Sequence, residues 1–194
     1  MAIISAENKV HWNYFLALEK DLELATRYVE FADANMATYS IEFAHLLFAA
    51  ASEVDVVAKL LCKQLNLNIP TETIEHYRTA LIAHIPDLPA TQVLVPRYAL
   101  TFTPWDSWNN NQTPSWWHSY NKVKHERNAH FQKATLENAL NALAALMTLV
   151  FYHYSYPDLQ SGHAVDKKET TRYLLPTSSL LRFTENYYYD NLIV

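Results

Sequence analysis

The segment from Trp116 to Phe131, WWHSYNKVKHERNAHF, concentrates side chains that bind phosphate or transfer protons. Lysine and arginine hold phosphate, arginine with two parallel hydrogen bonds, and histidine exchanges a proton near neutral pH. At helical spacings of three and four residues, one face presents Asn121, Lys124, His125 and Asn128, while Arg127 lies three residues before His130. This pattern predicts a cationic cluster with acid–base capacity.

Metal-independent RNA cleavage needs a base for the 2′-hydroxyl, an acid for the leaving oxygen and a cation for the phosphorane. The cluster supplies each part. We therefore predict catalytic roles for Arg127, His125 and His130. We predict substrate-binding roles for Lys124, Asn121 and Glu53, with Glu53 orienting the cluster from an earlier helix. The alternative is a structural ion pair between Glu53 and Lys124 or Arg127, with no chemistry.

Aromatic residues surround the cluster, and they have two interpretations. Stacked on bases, they would form part of an RNA-binding surface; more often such residues belong to the core. The residues concerned are Trp105, Trp108, Trp116, Trp117 and Tyr120.

Cofactor and metal motifs are sparse in the sequence. One glycine in 194 residues excludes a P-loop and a dinucleotide-binding fingerprint. The single cysteine, Cys62, excludes a cysteine-based zinc cluster, and neither His-Glu-x-x-His nor His-x-His occurs. We therefore expect no cofactor and no metal site, with a site of gathered histidines as the weaker alternative.

The elements that must position these residues are predicted to be helical. Apolar residues recur at spacings of three, four and seven, which is typical of amphipathic helices. The helices are predicted at 7–32, 38–65, 72–85, 113–133 and 135–154, with a segment at 92–102 that is extended or a short strand. Pro86, Pro89 and Pro96 exclude a long helix between the third and fourth. We predict a single all-α domain over 1–194: an up-and-down bundle of four to five long helices with a core at 8–156, a proline-rich irregular excursion and a mixed C-terminal arm at 157–194.

Composition restricts the class of protein. Half of the residues are apolar and 18% are charged, which favours a folded core over disorder. The formal net charge is -5, so nucleic-acid binding would have to use a local basic patch. The sequence shows no signal peptide and no membrane-spanning segment, so we expect a cytoplasmic protein without membrane contact.

Three stretches resemble bacterial helical-bundle proteins of the HEPN-like superfamily: YSIEFAHLLFAAASEVDVVAKLLC, PWDSW and PSWWHSYNKVKHERNAHF, the last leading into ATLENALNALAAL. The resemblance implies an up-and-down bundle, often dimeric. Many members cleave RNA as toxins or antiviral effectors, and others are non-catalytic. The family's catalytic pattern is an arginine followed after four to six residues by a histidine, whereas only two residues separate Arg127 from His130 here.

Two functions are therefore predicted. The first is a HEPN-like protein of toxin or phage-defence type that binds RNA or cleaves it without a metal, with RNA, a second copy of the chain and an antitoxin protein as partners. The alternative is a non-catalytic bundle that acts in dimerisation or partner binding, with the polar cluster as a structural ion-pair network.

Overall fold

The computed structural model describes residues 8–65, 67, 70 and 72–189, and within them the protein is mainly helical. The α-helices are α1 Val10–Ala25, α2 Ile41–Gln64, α3 Ile74–His84, α4 Ser115–His125, α5 Arg127–His130, α6 Leu136–Tyr154, α7 Tyr156–Ser161 and α8 Lys167–Tyr173. The strands are β1 Val93–Val95, β2 Leu100–Phe102 and β3 Arg182–Phe183. Among these residues, no helix is long and apolar enough to cross a membrane.

Helices α2 and α6 form the centre of the molecule, with α1 and α4 packed against both. Fourteen of the nineteen residues of α6 are buried because the helix is apolar on nearly every face. Its buried hydroxyl, Thr148, donates to the carbonyl oxygen of Ala144 at 2.9 Å, so this polar group is satisfied within the helix.

The starts of α2 and α6 lie side by side. Tyr39 and Thr135 form an isolated antiparallel bridge, and the amide of Leu136 donates to the carbonyl oxygen of Thr38 at 2.8 Å. Ser40 caps α2 and Thr135 caps α6, each accepting a hydrogen bond from the amide three residues further on. Both helices therefore run from the same end of the molecule.

The predicted fourth helix ends earlier than expected, at His125 rather than near Lys133. Glu126 is non-helical (φ -136°, ψ 54°), and only the single turn α5 follows. Val123 and Ala134 are buried in one small cluster with Ala44. A continuous helix would separate Val123 from Ala134 by about 16 Å along its axis. The break is required for both residues to reach the same part of α2.

A small antiparallel sheet departs from the all-α prediction, although the mainly helical architecture is confirmed. The strand order is β2-β1-β3, with Val93 paired to both Phe102 and Phe183. Alternating apolar residues form the predicted extended segment, but Pro96 opens a turn that folds this segment into a hairpin. The third strand comes from the C-terminal arm.

The C-terminal arm packs against α1 through a buried carboxylate. Glu19, 2% exposed, accepts hydrogen bonds from the amides of Ser179, Leu180 and Leu181 at 3.1, 3.0 and 2.8 Å. The hydroxyl of Ser178 donates to the same carboxylate. Because four donors converge on one charged acceptor, the path of the arm at 178–181 is fixed relative to α1.

Candidate functional site

The residues predicted to form one site lie on two sides of α2. Helix α4 packs beside the first half of α2, where the rings of Tyr120 and Phe48 are 6.0 Å apart and Val123 lies near Ala44. Glu53 follows Ala44 by nine residues, about two and a half helical turns, and therefore projects from the opposite side. Its Oε1 lies 2.6 Å from Nδ1 of His11. Glu53 thus forms its hydrogen bond with His11 of α1, and the predicted pairing with Lys124 or Arg127 is wrong.

A basic corner, defined here as residues 122–133, remains on the α4 side. This segment contains four formal cations and one acid, Glu126, a net charge of +3 in a chain whose net charge is -5. Three of its basic side chains, Lys124, His125 and Arg127, are exposed because they flank the break at the end of α4. The corner is therefore a local positive patch on an acidic protein.

Each predicted residue of the corner has a distinct environment. Lys124 Nζ donates to the Tyr120 hydroxyl at 3.2 Å. Nε2 of His130 lies 3.3 Å from a carboxylate oxygen of Glu126. His125, the last residue of α4, is exposed. The two histidines assigned acid and base roles are thus at the rim of an open surface, not in a cleft that would exclude water.

Aromatic rings extend the corner toward the start of α2. The Arg127 guanidinium lies 5.1 Å from the centroid of the Phe131 ring, and the Tyr39 ring meets Phe131 edge to face at 5.6 Å. Tyr39 is 52% exposed. The row Arg127–Phe131–Tyr39 places a cation and an exposed ring on either side of the Phe131 ring, an arrangement suited to stacking on bases. Tyr39 could not be predicted from the sequence because it lies 88 residues before Arg127, and the fold brings the two together through the Phe131 ring and the bridge between Tyr39 and Thr135.

Asn121 directly precedes the corner in sequence and lines an open groove of about 370 Å³ between α3 and α4. The groove also contains Glu75, whose carboxylate accepts a hydrogen bond from the Thr113 hydroxyl at 2.8 Å. That hydrogen bond lowers the pKa of Glu75, so the carboxylate stays ionised at neutral pH. A negative charge here makes this groove a poor phosphate site.

The tryptophans are core residues, and their interpretation as a base-stacking surface is wrong. Trp105, Trp108 and Trp116 are at most 2% exposed, and Trp117 is 8% exposed. The Trp116 indole donates to the carbonyl oxygen of Pro104 at 2.9 Å, which satisfies its only polar group inside the protein. These rings hold the proline-rich excursion against α4 and α6.

A second group of titratable side chains, not predicted from the sequence, lies beside Glu53. The rings of His11, from α1, and His153, from α6, meet edge to face with centroids 5.1 Å apart. The side chains of His11 and Glu53 are 17% and 15% exposed. No sequence pattern relates His11 to His153, because their proximity depends on how α1 packs across α2 and α6.

Metal-ligating side chains are dispersed in the described part of the chain, where no three of them are placed to hold a metal ion. Cys62 is buried on α2, and burial raises the pKa of its thiol to about 11. The thiol is therefore protonated at neutral pH. A cysteine that acts as a nucleophile or a metal ligand would have to be a thiolate.

Comparison with protein-family models, with curated proteins and with solved structures finds no match to this chain. Its function is therefore argued from the chemistry of its own residues.

Proposed function

We propose that this chain binds single-stranded RNA through the basic corner and the adjoining ring of Tyr39. The observation that carries the proposal is the row Arg127–Phe131–Tyr39, exposed at both ends, in the segment that also carries the exposed Lys124. Proteins that bind single strands combine cations that follow the backbone with aromatic rings on which bases stack.

The cations have the chemistry that phosphate requires. Arg127 carries a planar fork of donors that matches two phosphate oxygens, and Lys124 adds a point charge. One acid, Glu126, lies within the corner, and it is next to His130. The local charge of the segment therefore favours an anion even though the whole chain would repel one.

The exposed ring accounts for a preference for unpaired strands. A base can stack on Tyr39 only if it is free of its neighbours in a duplex, as in loops and single strands. The corner also lies within a segment that resembles HEPN-like proteins, and this resemblance supports an RNA-directed role of toxin or phage-defence type.

Fluorescence anisotropy with a labelled single-stranded RNA of mixed sequence tests this function. The double variant Lys124→Ala/Arg127→Ala should weaken binding at least tenfold, because two phosphate contacts are lost. The control Lys63→Ala/Arg97→Ala removes two exposed charges elsewhere and should leave the affinity unchanged. Equal losses in both variants, or no binding by the wild-type chain, would contradict the proposal.

A second function, self-association, is favoured by an exposed apolar stripe on α1 and the turn after it. Val10, Tyr14, Leu24 and Tyr28 are 58%, 41%, 48% and 85% exposed. Ala17 and Asp21 lie between them in sequence. Counted together, the six residues follow one another at alternating spacings of four and three, as in a coiled-coil seam. In an antiparallel pair of α1 helices, Val10 meets Tyr28 and Tyr14 meets Leu24 of a second copy, so the stripe is complementary to itself.

Light scattering coupled to size-exclusion chromatography, run over a range of concentrations, tests this second function. The wild-type chain should be a dimer, and Tyr14→Lys/Leu24→Lys should be a monomer. Val56→Lys, which alters an exposed apolar residue of α2, should remain dimeric. A monomeric wild-type chain, or a dimer that survives the double substitution, would contradict it.

A further inference from the structure

His11, Glu53 and His153 come together from three helices and face away from the basic corner. His11 is the second residue of α1, Glu53 lies in the middle of α2, and His153 is the penultimate residue of α6. Nδ1 of His11 lies 2.6 Å from Oε1 of Glu53, and the two imidazole rings are 5.1 Å apart. The side chains of His11 and Glu53 are 17% and 15% exposed and His153 is half-buried, so the group lies at the surface edge of the helix packing.

The carboxylate of Glu53 defines the state of His11. An ionised carboxylate only accepts hydrogen bonds, so Nδ1 of His11 must carry the proton that joins them. Nε2 of His11 is then the nitrogen that exchanges protons with a ligand. A carboxylate that fixes the tautomer and the ring orientation of a histidine is the arrangement by which a general base is positioned.

We propose that His11 and His153 are an acid–base pair that cleaves RNA by internal phosphoryl transfer, with Glu53 as a positioning residue for His11. The proposal rests on the proposed RNA binding for its substrate. Two imidazoles in contact supply both proton transfers that this reaction requires, one for each oxygen that changes its bonding to phosphorus.

The reaction balances without another reagent. Nε2 of His11 removes the proton of a ribose 2′-hydroxyl as the 2′-oxygen forms a bond to the adjacent phosphorus. The bond between phosphorus and the 5′-oxygen of the next nucleotide breaks, and protonated His153 gives its proton to that oxygen. The products are a 2′,3′-cyclic phosphate and a 5′-hydroxyl, with one proton moved from His153 to the leaving oxygen and one gained by His11.

Lys9 provides the positive charge that the phosphorane needs. It lies two residues before His11, and its Nζ is 4.0 Å from the centroid of the Tyr173 ring. The Tyr154 ring contacts both His153 and Tyr173, at centroid distances of 4.8 and 6.3 Å. The Tyr173 ring therefore holds the ammonium, and the Tyr154 ring links Tyr173 to His153, so Lys9 is assigned the neutralisation of the non-bridging oxygens of the phosphate.

A cleavage assay in EDTA, with a labelled RNA and its 2′-O-methyl counterpart, tests the proposal. The wild-type chain should release a 2′,3′-cyclic phosphate product from the RNA and leave the methylated strand intact. His11→Gln and His153→Gln should each lower the rate by at least a hundredfold at unchanged RNA affinity. His163→Gln, which alters an exposed histidine outside the group, should match the wild-type rate.

Glu53→Gln separates positioning from a merely structural role. The amide keeps the size of the side chain, so the melting temperature and KM should stay close to those of the wild type while kcat falls at least tenfold. A change in KM, or a fall in kcat that accompanies a fall in the melting temperature, would contradict the positioning role.

The outcomes distinguish this inference from the proposed function. RNA that is bound but left intact, or cleavage that persists in His11→Gln, would overturn the acid–base pair and leave RNA binding standing. Failure of the wild-type chain to bind RNA would overturn both. Cleavage that EDTA abolishes would also overturn the acid–base pair.

Discussion

Glu53 lies 2.6 Å from His11 and joins the middle of α2 to the first turn of α1. This contact places the carboxylate on the α1 side of α2. The sequence pattern predicts it instead beside the basic corner on α4. Helix α2 thereby separates two groups of side chains. The cations of the basic corner and the exposed ring of Tyr39 lie on one side, and His11 with its neighbour His153 lies on the other. The proposed RNA binding and the proposed proton transfer can therefore be tested with separate variants.

Replacement of Tyr39 should weaken RNA binding without altering its dependence on salt. Stacking of one base on an aromatic ring contributes about 1–3 kcal/mol, so Tyr39→Ala should raise Kd by about 5- to 150-fold. The slope of affinity against salt should not change, since no charge is removed. Anisotropy titrations at several salt concentrations measure both quantities.

Two further variants define the role of Tyr39. Tyr39→Phe keeps the ring and should bind like the wild type, and Tyr189→Ala removes another exposed tyrosine and should have no effect. Weak binding by Tyr39→Phe would show that the hydroxyl rather than the ring is the recognised group.

Loss of the Glu19 carboxylate should release the C-terminal arm. Glu19→Ala leaves the buried amides of Leu180 and Leu181, and the partly buried amide of Ser179, without their acceptor. Unsatisfied buried donors are costly, and we expect the free energy of unfolding to fall by about 3 kcal/mol. Urea denaturation gives this value, and limited proteolysis near 178–181 should become faster.

Glu23→Ala is the matched control on the same helix. Its carboxylate is partly exposed and lies 3.8 Å from Lys20, an exposed partner. Exposed ion pairs contribute little, so the change in stability should stay below about 1 kcal/mol. Equal destabilisation by the two variants would show that Glu19 does not anchor the arm.

Unfolding at alkaline pH should depend on three buried groups. Burial raises the pKa of Cys62 from 9.0 to about 11, and it also raises the pKa values of the Tyr77 and Tyr152 hydroxyls. Each neutral form is favoured in the folded state, so Cys62 contributes stability that is complete below about pH 9 and is lost as the pH rises toward 11. Urea denaturation between pH 8 and 11 should show this decline, and it should be shallower in Cys62→Ala.

The same burial should protect the thiol from reagents. Native Cys62 should react with a disulfide reagent at pH 8 far more slowly than in denaturant, because the reactive thiolate is scarce and inaccessible. Equal rates in the two conditions would contradict the burial of Cys62.

The long helices could be predicted because the apolar periodicity that specifies each one lies within its own stretch of sequence. Apolar periodicity located α1, α2 and α6, although the predicted first helix extended beyond Ala25, where α1 ends in a turn. The break at Glu126 could not be predicted in this way, since it follows from the burial of Val123 and Ala134 with Ala44, a distant residue. The sheet also depends on residues that are distant in sequence, because β1 pairs with a strand from the C-terminal arm.

The candidate site was predicted only in part. The cations of residues 122–133 are adjacent in sequence, so their proximity needed no knowledge of the fold. Whether Glu53 faces α4 or α1 depends on the rotation of α2 about its own axis, which its sequence alone does not set. His11 and His153 come from opposite ends of the chain, and only the packing of α1 against α6 brings them into contact.

The salt dependence of RNA affinity tests the central claim most directly. For single strands, each phosphate contact contributes about 0.7 to the slope of log affinity against log salt concentration. Loss of both cations in Lys124→Ala/Arg127→Ala should therefore flatten the slope by about 1.4, while Lys63→Ala/Arg97→Ala should leave it unchanged. A wild-type slope near zero, or the same slope in all three proteins, would contradict RNA binding at the basic corner.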